Sequence, residues 1–266
     1  MPPLVSGSEL LQSFLACPVC HSAPLRQTED DLHCDGCGRT FDSVRGVPDF
    51  RPRPLPDSEI AAHLPLWEEV ERNGLVGYEV DPEHNLSVTD RAVTVAFERF
   101  ARLNGLVLDV GCGPQPQPSY ARRFEGKLVG IDPLRGADRR EFEFVQGLGE
   151  YLPFREGVFD RVLFATTLDH MLSPQRALLE ARRVTRPGGE IVVWSGDERT
   201  KPEFTGDSAT WYESLSVPAG AQDRFHVARL GRESVLDLLA NARLEVVEES
   251  PDGAGSIFVR ATPSAD

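Results

Sequence analysis

Short apolar runs alternate with amphipathic stretches along the chain, and this alternation predicts an α/β fold. Predicted strands are the runs 106–110, the run that ends at 130–132, 161–166, 191–194, 244–248 and 256–261. Apolar residues at helical spacing predict helices over 58–72, 89–103 and 232–242. Ser173-Pro174 predicts the start of a further helix, with the serine as N-cap and the proline in the first turn.

Two of the predicted strands lead into an acidic residue, which places candidate chemistry at one edge of the sheet. Asp109 is followed by Val110-Gly111-Cys112-Gly113, and the next strand ends at Asp132. Neighbouring parallel strands bring their carboxyl ends together and form nucleoside sites there, and glycine lets the backbone approach a ligand closely. Asp132 follows Gly111 by about 20 residues, the spacing at which an acid accepts hydrogen bonds from ribose hydroxyls.

The loop after the first of these strands argues against a dinucleotide ligand. Dinucleotide sites need a third glycine, so that a helix N-terminus can meet the pyrophosphate, and Pro116 stands at that position. Each residue before a proline of the run 114–118 favours extended backbone, so the next helix starts no earlier than Pro118 or Ser119. A ligand without a pyrophosphate fits this loop better.

Taken together, five segments resemble the motifs of the class I S-adenosylmethionine-dependent methyltransferases. In chain order they are Asp109 to Gly113, Phe144 to Phe154, Gly157 to Thr166, Leu168-Asp169-His170 and Arg186-Pro187-Gly188-Gly189. The resemblance covers roughly residues 100–262. It implies an α/β fold with the Rossmann-like seven-stranded class I methyltransferase sheet, whose last two strands form an antiparallel pair at the edge. It also implies an in-line transfer of the cofactor's methyl group.

The resemblance assigns the cofactor site residue by residue. Asp109 is expected to hold the cofactor's amino group, and Asp132 to bind both ribose hydroxyls. Gly111 and Gly113 are expected to let the methionine part pass. The other expected cofactor contacts are Cys112, Pro133, Gly147, Leu148, Gly149, Thr166 and His170.

Two departures from the family pattern concern the same site. Leu148 stands where the third motif normally carries an acid that reaches the adenine amino group. We therefore expect backbone groups around Leu148 and Gly149 to read the adenine edge, and Glu150 to support the loop. The prolines of the first loop predict an altered recognition of the methionine end.

Two histidines are candidates for a catalytic base that removes a proton from the methyl acceptor. His170 follows the predicted strand 161–166 at the carboxyl edge of the sheet, and contact with the cofactor is its alternative role. His226 precedes the last predicted helix, where this family often has a histidine near the substrate. Residues 195–230 are polar and rich in turns, and a long insertion at this place predicts a substrate cover.

Four of the five cysteines form two Cys-x-x-Cys pairs, Cys17 with Cys20 and Cys34 with Cys37. Two such turns can hold zinc in a tetrahedron of thiolates, and a closed set of four ligands predicts a structural metal. Residues 21–33 between the pairs suit a short β-hairpin. A disulfide framework is the alternative, which is disfavoured in a cytosolic chain. The order of ribbon and domain resembles certain ribosomal RNA guanine methyltransferases, in which the ribbon helps to hold RNA.

The net charge of the chain indicates which classes of partner it can bind. The 266 residues carry a net charge of −14, and acidic residues outnumber arginines in the ribbon. Phosphate contacts need a basic surface, so this composition argues against a nucleic-acid partner. The chain has 40% apolar and 26% charged residues and no apolar run of membrane-spanning length. We expect no signal peptide, because no basic region precedes an apolar one near residue 1. We expect a cytoplasmic protein without a membrane partner.

The sequence therefore predicts three segments: a zinc ribbon and linker over 1–56, a helical connecting segment over 57–104, and the methyltransferase domain over 105–266. We expect a bacterial enzyme that methylates a small-molecule biosynthetic intermediate, with S-adenosylmethionine as cofactor and zinc as structural metal. Two alternatives stay open. One is a base methyltransferase of ribosomal or transfer RNA, and the other is a cofactor-binding or scaffold protein that transfers no methyl group.

Overall fold

A computed structural model describes residues 9–28, 31–72, 91–136, 140–196, 230–251 and 255–264. These residues form two sheets, one of four strands and one of seven. The predicted substrate cover, 195–230, lies outside the described residues except at its two ends, and His226 lies outside them as well. No helix in the described ranges combines the length and apolar character that crossing a membrane requires.

The N-terminal ribbon comprises one short helix and the four-stranded sheet. Its elements are α1 (Glu9–Phe14), β1 (Arg26–Gln27), β2 (Asp31–His33), β3 (Thr40–Val44) and β4 (Val47–Pro48). The strands pair antiparallel in chain order. Because β1 and β2 lie between the two cysteine pairs, they form the hairpin that the spacing predicts.

The seven-stranded sheet carries the order and directions that the sequence motifs imply. Its strands are β5 (Leu106–Val110), β6 (Lys127–Asp132), β7 (Glu143–Gln146), β8 (Phe159–Ala165), β9 (Thr185–Gly196), β10 (Leu244–Pro251) and β11 (Ser256–Pro263). They are hydrogen-bonded in the order β10-β11-β9-β8-β5-β6-β7. The strands from β9 to β7 are parallel, and β11 runs antiparallel to both of its neighbours. The predicted fold class and the antiparallel edge pair are therefore confirmed.

Four longer helices accompany this sheet: α2 (Ser58–Arg72), α3 (Ala92–Ala101), α4 (Pro174–Val184) and α5 (Arg232–Asn241). Each lies within a predicted helix. The Asp57 carboxylate starts α2, because its Oδ1 accepts hydrogen bonds from the backbone N–H groups of Glu59 and Ile60 at 2.9 and 3.2 Å. Phe97 and Phe100 of α3 pack on one face of the sheet. The apolar residues of α4 and α5 pack on the other face.

Helix α4 begins at Pro174 as predicted, but the prediction that the Ser173 side chain caps it is wrong. Ser173 occupies the N-cap position without a side-chain capping bond. The buried carboxylate of Glu150 instead fixes the residues that lead into the helix, since its Oε1 accepts hydrogen bonds from the backbone N–H groups of Leu172 and of the N-cap residue Ser173 at 2.8 and 3.2 Å. A carboxylate at a helix N-terminus satisfies unpaired N–H groups and faces the positive end of the helix dipole.

The ribbon covers a part of the sheet that parallel folds usually cover with a crossover helix. Residues 147–158, between β7 and β8, contain no helix. Apolar side chains of the ribbon and the residues after it join one continuous core with β5, β6 and β7, and the ribbon contributes Leu11, Phe14, Leu15, Phe41 and Phe50 to it. Leu15 also forms a backbone bridge to Phe154. The boundaries proposed at 56 and 104 stay predictions.

Candidate cofactor-binding site

Two buried acids lie side by side at the carboxyl edge of the sheet, on β5 and β6. Asp109 is 0% exposed and Asp132 is 7% exposed. Oδ2 of Asp109 accepts a hydrogen bond from the Tyr120 hydroxyl at 2.7 Å, whereas its Oδ1 is buried and has no hydrogen-bond partner. Both oxygens of Asp132 accept backbone N–H groups, from Gly113 at 2.9 Å and from Leu134 at 2.8 Å.

Burial changes the charge state of both acids. It raises the pKa of Asp109 to about 7, against the opposing effects of the Tyr120 hydrogen bond and the nearby Arg140 cation. It raises the pKa of Asp132 to about 6, against its two backbone hydrogen bonds and Arg140. A buried carboxylate oxygen without a partner costs free energy when it is ionised. A cationic donor at Oδ1 of Asp109 would therefore be bound favourably.

The glycine loop after β5 is held close to the segment after β8. Gly111 has φ of +74°, and a Cβ atom built on it would lie 2.7 Å from the Cβ of Thr167. Only glycine tolerates both the positive φ and the lack of room for a Cβ atom. The backbone N–H of Gly111 donates to the carbonyl of Ile131 at 2.8 Å, and the Thr167 hydroxyl donates to the carbonyl of Val110 at 2.7 Å. The ends of β5, β6 and β8 thus meet at one edge.

Thr166 and His170 follow β8 at this edge. Thr166 has φ of 60°, a left-handed conformation that is unusual for a β-branched residue and typical of ligand sites. Its N–H donates to the carbonyl of Trp194 at 3.0 Å. His170 is half-buried in the 3₁₀ turn Leu168–His170, with its Nε2 3.9 Å from Oδ1 of Asp169. Both residues flank Thr167, which contacts Gly111, in the segment that follows β8, and their contact with the cofactor stays a prediction.

Leu148 belongs to an apolar cluster beneath helix α2. It is 1% exposed and packs among Ile60, Trp67, Val70, Leu134 and Tyr151. Its carbonyl accepts the Tyr151 N–H at 3.1 Å. An acid in this cluster would be desolvated, which explains the leucine at this position. The expectation that backbone groups here read the adenine edge stays a prediction.

The other residues predicted to contact the cofactor lie in the loops that follow β5, β6 and β7. Gly147 N–H donates to the carbonyl of Asp132 at 3.0 Å. A Cβ atom on Gly149 would lie 2.8 Å from Sδ of Met171, so this loop packs tightly. The carbonyl of Pro133 accepts the Gln146 side-chain amide at 2.8 Å. Cys112 is buried, with its Sγ turned towards Gly130, and its predicted contact with the cofactor stays a prediction.

Sequence reasoning missed three residues of this site. Tyr120 contacts Asp109, Arg140 contacts the glycine loop, and Gln115 is buried within that loop with both ends of its side-chain amide unpartnered. Tyr120 and Gln115 carry no periodic signal. Arg140 has one, because Arg140, Phe142 and Phe144 alternate and so share one face of an extended segment.

The four cysteine thiols of the ribbon converge. All four Sγ atoms lie within 4.8 Å of one another. The Cys17 and Cys37 sulfurs are 3.6 Å apart, and those of Cys20 and Cys34 are 3.4 Å apart. A tetrahedral zinc with Zn–S bonds of about 2.3 Å places its sulfurs about 3.8 Å apart. The cluster therefore has the composition and size of a four-thiolate zinc site.

The sheet order and the acids at its carboxyl edge are those of the class I methyltransferase fold, and comparisons with known proteins agree. Residues 108–193 match the family model described as a methyltransferase domain, and residues 8–42 match the model described as Trm112p-like protein. An uncharacterized methyltransferase of Schizosaccharomyces pombe is 31% identical over 120 residues, which cover 37% of this chain and 42% of that protein. The chain spans less than half the length of the first curated relatives that it matches.

Solved structures of low identity share the fold. One is the 1,6-didemethyltoxoflavin-N1-methyltransferase of Burkholderia thailandensis, with a TM-score of 0.53 and 17% identity over 89% of this chain and 100% of that one. Another comes from the complex between the Haloferax volcanii Trm112 methyltransferase activator and a methyltransferase. Its TM-score is 0.53, with 16% identity over 74% of this chain and 98% of that one. The chain thus shares the class I methyltransferase fold with these structures, and its two matched segments are similar to a methyltransferase domain and to a Trm112p-like protein.

Proposed function

We propose that this protein is an S-adenosylmethionine-dependent methyltransferase that acts on a small molecule. The observation that carries the proposal is the pair of buried acids beside a glycine loop, at the carboxyl edge of a sheet with the class I strand order. The residues present fit the cofactor, because Oδ1 of Asp109 is buried without a partner and can accept a cationic donor such as the ammonium group. When bound, S-adenosylmethionine supplies a methyl group that is activated on a sulfonium sulfur.

Each residue of the site has a distinct task in this proposal. The ionised Asp109 holds the cofactor's ammonium group with its unpartnered Oδ1. Asp132 binds the ribose hydroxyls, since each of its oxygens accepts only one backbone N–H and keeps a further lone pair. Gly111 and Gly113 let the methionine part pass. Cys112, Pro133, Gly147, Leu148, Gly149 and Thr166 complete the walls.

The acceptor end of the site contains His170. His170 lies in the turn that follows β8, and β8 is the neighbour of the strand that carries Asp109. His170 either accepts a proton from an oxygen or nitrogen nucleophile or packs against the cofactor. The pH dependence of the rate of methyl transfer separates the two roles. Methyl transfer needs little more than alignment of nucleophile and methyl carbon at about 3 Å. We also propose that His226 lies near the substrate.

We also propose that the ribbon binds structural zinc and braces the catalytic domain from within the chain. The four thiols fill every ligand position, which leaves none for chemistry. The neighbour from Haloferax volcanii is named as a complex of a methyltransferase with a separate Trm112 activator. Here the Trm112p-like segment is part of the same chain, and the Phe50 N–H that follows it donates to the carbonyl of Gln146 at 2.7 Å.

A small-molecule acceptor is favoured over RNA by two features. The ribbon buries its apolar side chains against the sheet, and its composition is not basic. A neighbour of the same fold is named for methylating 1,6-didemethyltoxoflavin, a small molecule. An RNA acceptor would instead need a basic surface to contact phosphates.

Calorimetric titration with S-adenosylmethionine and S-adenosylhomocysteine tests the cofactor, with Asp132→Ala alongside and elemental analysis for zinc. We expect micromolar binding that the variant loses and one zinc per chain. Absence of binding by protein stripped of carried-over ligand would refute the cofactor assignment. Formation of S-adenosylhomocysteine with a small-molecule library, but not with RNA, would support the acceptor class. Transfer to RNA alone would overturn it, and binding without any turnover would indicate a non-catalytic protein.

A further inference from the structure

The glycine loop of this protein lacks the support that the loop usually has. In related folds a helix follows directly and fixes the loop with its first turn. Here the loop leads only into a 3₁₀ turn of three residues, Ser119–Ala121. Pro114, Pro116 and Pro118 have no N–H group to donate. The carbonyl groups of the loop therefore need donors from elsewhere.

Arg140 supplies these donors. Its Nη1 donates to the carbonyls of Gly113 and Gln115, both at 2.9 Å. Its Nη2 donates to the carbonyl of Arg135 at 2.7 Å. One guanidinium thus connects two segments. One is the loop that follows β5 and Asp109, and the other is the segment that follows β6 and Asp132.

Aromatic rings hold the guanidinium in place. Its central carbon lies 3.8 Å from the ring centroid of Phe144 and 5.3 Å from that of Phe142. A planar guanidinium can stack on a ring and still use its edge for hydrogen bonds, whereas a lysine ammonium cannot do both. The contact set therefore requires arginine specifically.

The same cation influences the acids electrostatically. It lowers the pKa of Asp109 and of Asp132, which burial raises. The other groups that act on the two acids are the Tyr120 hydroxyl, which donates to Asp109, and the Glu71 carboxylate, which raises the pKa of Asp132. Asp132 itself raises the pKa of Asp109. Arg140 is therefore the positively charged group that acts on both acids.

We propose that Arg140 is the positioning residue of the cofactor site: it fastens the glycine loop to the segment after Asp132, so that the loop is formed before the ligand arrives. It acts through backbone carbonyls and does not itself touch the cofactor. This inference rests on the proposed cofactor function. It gives the proline-rich loop a physical rationale, since a loop poor in N–H donors is held by a side chain from the next connection.

Two variants of the full chain separate the mechanical from the electrostatic part. Arg140→Lys keeps the charge and loses the planar fork, and Arg140→Met loses both. We expect each to weaken S-adenosylhomocysteine binding at least tenfold and to speed amide hydrogen exchange in the peptide 111–117. The pH below which binding fails should stay unchanged in the lysine variant and rise in the methionine variant, because the acids lose their neighbouring cation.

Arg123→Met is the matched control. Arg123 also lies beside the 3₁₀ turn, but it is exposed and pairs with Glu98, so its removal should change neither readout. Wild-type affinity and exchange in Arg140→Met would overturn the proposal. If that variant does not fold, as judged by circular dichroism and zinc content, the lysine variant decides by the same two readouts. Failure of the wild-type protein to bind would refute the cofactor assignment, and the exchange of 111–117 would still test the loop.

Discussion

Asp109 and Asp132 are buried alike, but their partners differ. Each oxygen of Asp132 accepts one backbone N–H group and keeps a further lone pair, whereas Asp109 keeps one oxygen without any partner. Hydrogen bonds to a charged group contribute about 1.5–3 kcal/mol each. The difference indicates that Asp132 serves both the loop and the ligand, whereas the free oxygen of Asp109 serves the ligand.

Asp132→Ala should weaken S-adenosylhomocysteine binding at least tenfold, because it removes the ribose acceptor and frees the N–H groups of Gly113 and Leu134. Asp132→Asn separates these effects, since its amide oxygen still accepts one N–H. We expect a smaller loss of affinity and slower amide exchange at Gly113 than in the alanine variant. Calorimetry and hydrogen exchange measure both, and normal binding by the alanine variant would refute the assignment.

Asp109→Asn should separate binding from stability. Because burial raises the pKa of Asp109 to about 7, the ligand-free fold carries a cost of ionisation. This cost begins above the unfolded pKa of about 3.9 and is complete above the folded one. The variant should therefore gain stability over wild type as pH rises, by about 1–3 kcal/mol more at pH 8 than at pH 5.

Urea unfolding of both proteins at the two pH values checks this, with calorimetry at pH 8 alongside. The variant should bind S-adenosylhomocysteine at least tenfold more weakly, although its ligand-free fold is more stable. A stability difference that is the same at both pH values would show that Asp109 is not the group that titrates.

At the scale of elements, helix α4 shows how a distant loop can fix the residues that lead into a helix. Glu150→Ala should lower the free energy of unfolding by about 2 kcal/mol, because the backbone N–H groups of Leu172 and Ser173 lose their buried acceptor. Ser173→Ala is the matched control and should stay within about 0.5 kcal/mol of wild type, since the serine side chain makes no capping bond. Chemical denaturation measures both. Equal losses in the two variants would contradict this role of Glu150.

The same contrast shows what the sequence could and could not predict. Strands β5, β6 and β8, and helix α4, were predictable because apolar periodicity and Pro174 are local signals. The acids at the strand ends were predictable because parallel strands share one carboxyl edge. The Glu150 hydrogen bonds, the Tyr120 contact and the docking of the ribbon were not, because each joins segments that are distant along the chain.

At the scale of the whole molecule, the ribbon and the sheet form one core. Phe14 packs edge-on against Phe159 with ring centroids 5.8 Å apart, and Phe50 packs against Phe41 at 5.1 Å. Arg51 donates to the carbonyl of Pro133 at 3.4 Å, so the segment predicted as a linker contacts the cofactor edge. Since residues 147–158 provide no helix, the ribbon contributes the apolar cover that the sheet requires.

Zinc removal should therefore lower the stability of the entire protein and not of the ribbon alone. Four-thiolate modules fold with their metal, and loss of the ribbon would expose the core face of β5, β6 and β7. Cys37→Ser tests this without disturbing the packing, because Cys37 is exposed. Asp35→Ser, an exposed change on the same turn, is the matched control.

In calorimetry we expect one cooperative transition for wild type and for Asp35→Ser, and a transition at least 10 °C lower for Cys37→Ser. At about 2–4 °C per kcal/mol for a protein of this size, a shift of 10 °C corresponds to a loss of about 3–5 kcal/mol, which weakened metal binding can supply. Hydrogen exchange should quicken in β6 and β7 as well as in the ribbon. If exchange quickens in the ribbon alone and the sheet melts at its wild-type temperature, the two are separate modules and the ribbon does not brace the cofactor site. A shared loss would instead explain why one chain carries both: the sheet that holds Asp109 and Asp132 is complete only with the ribbon against it.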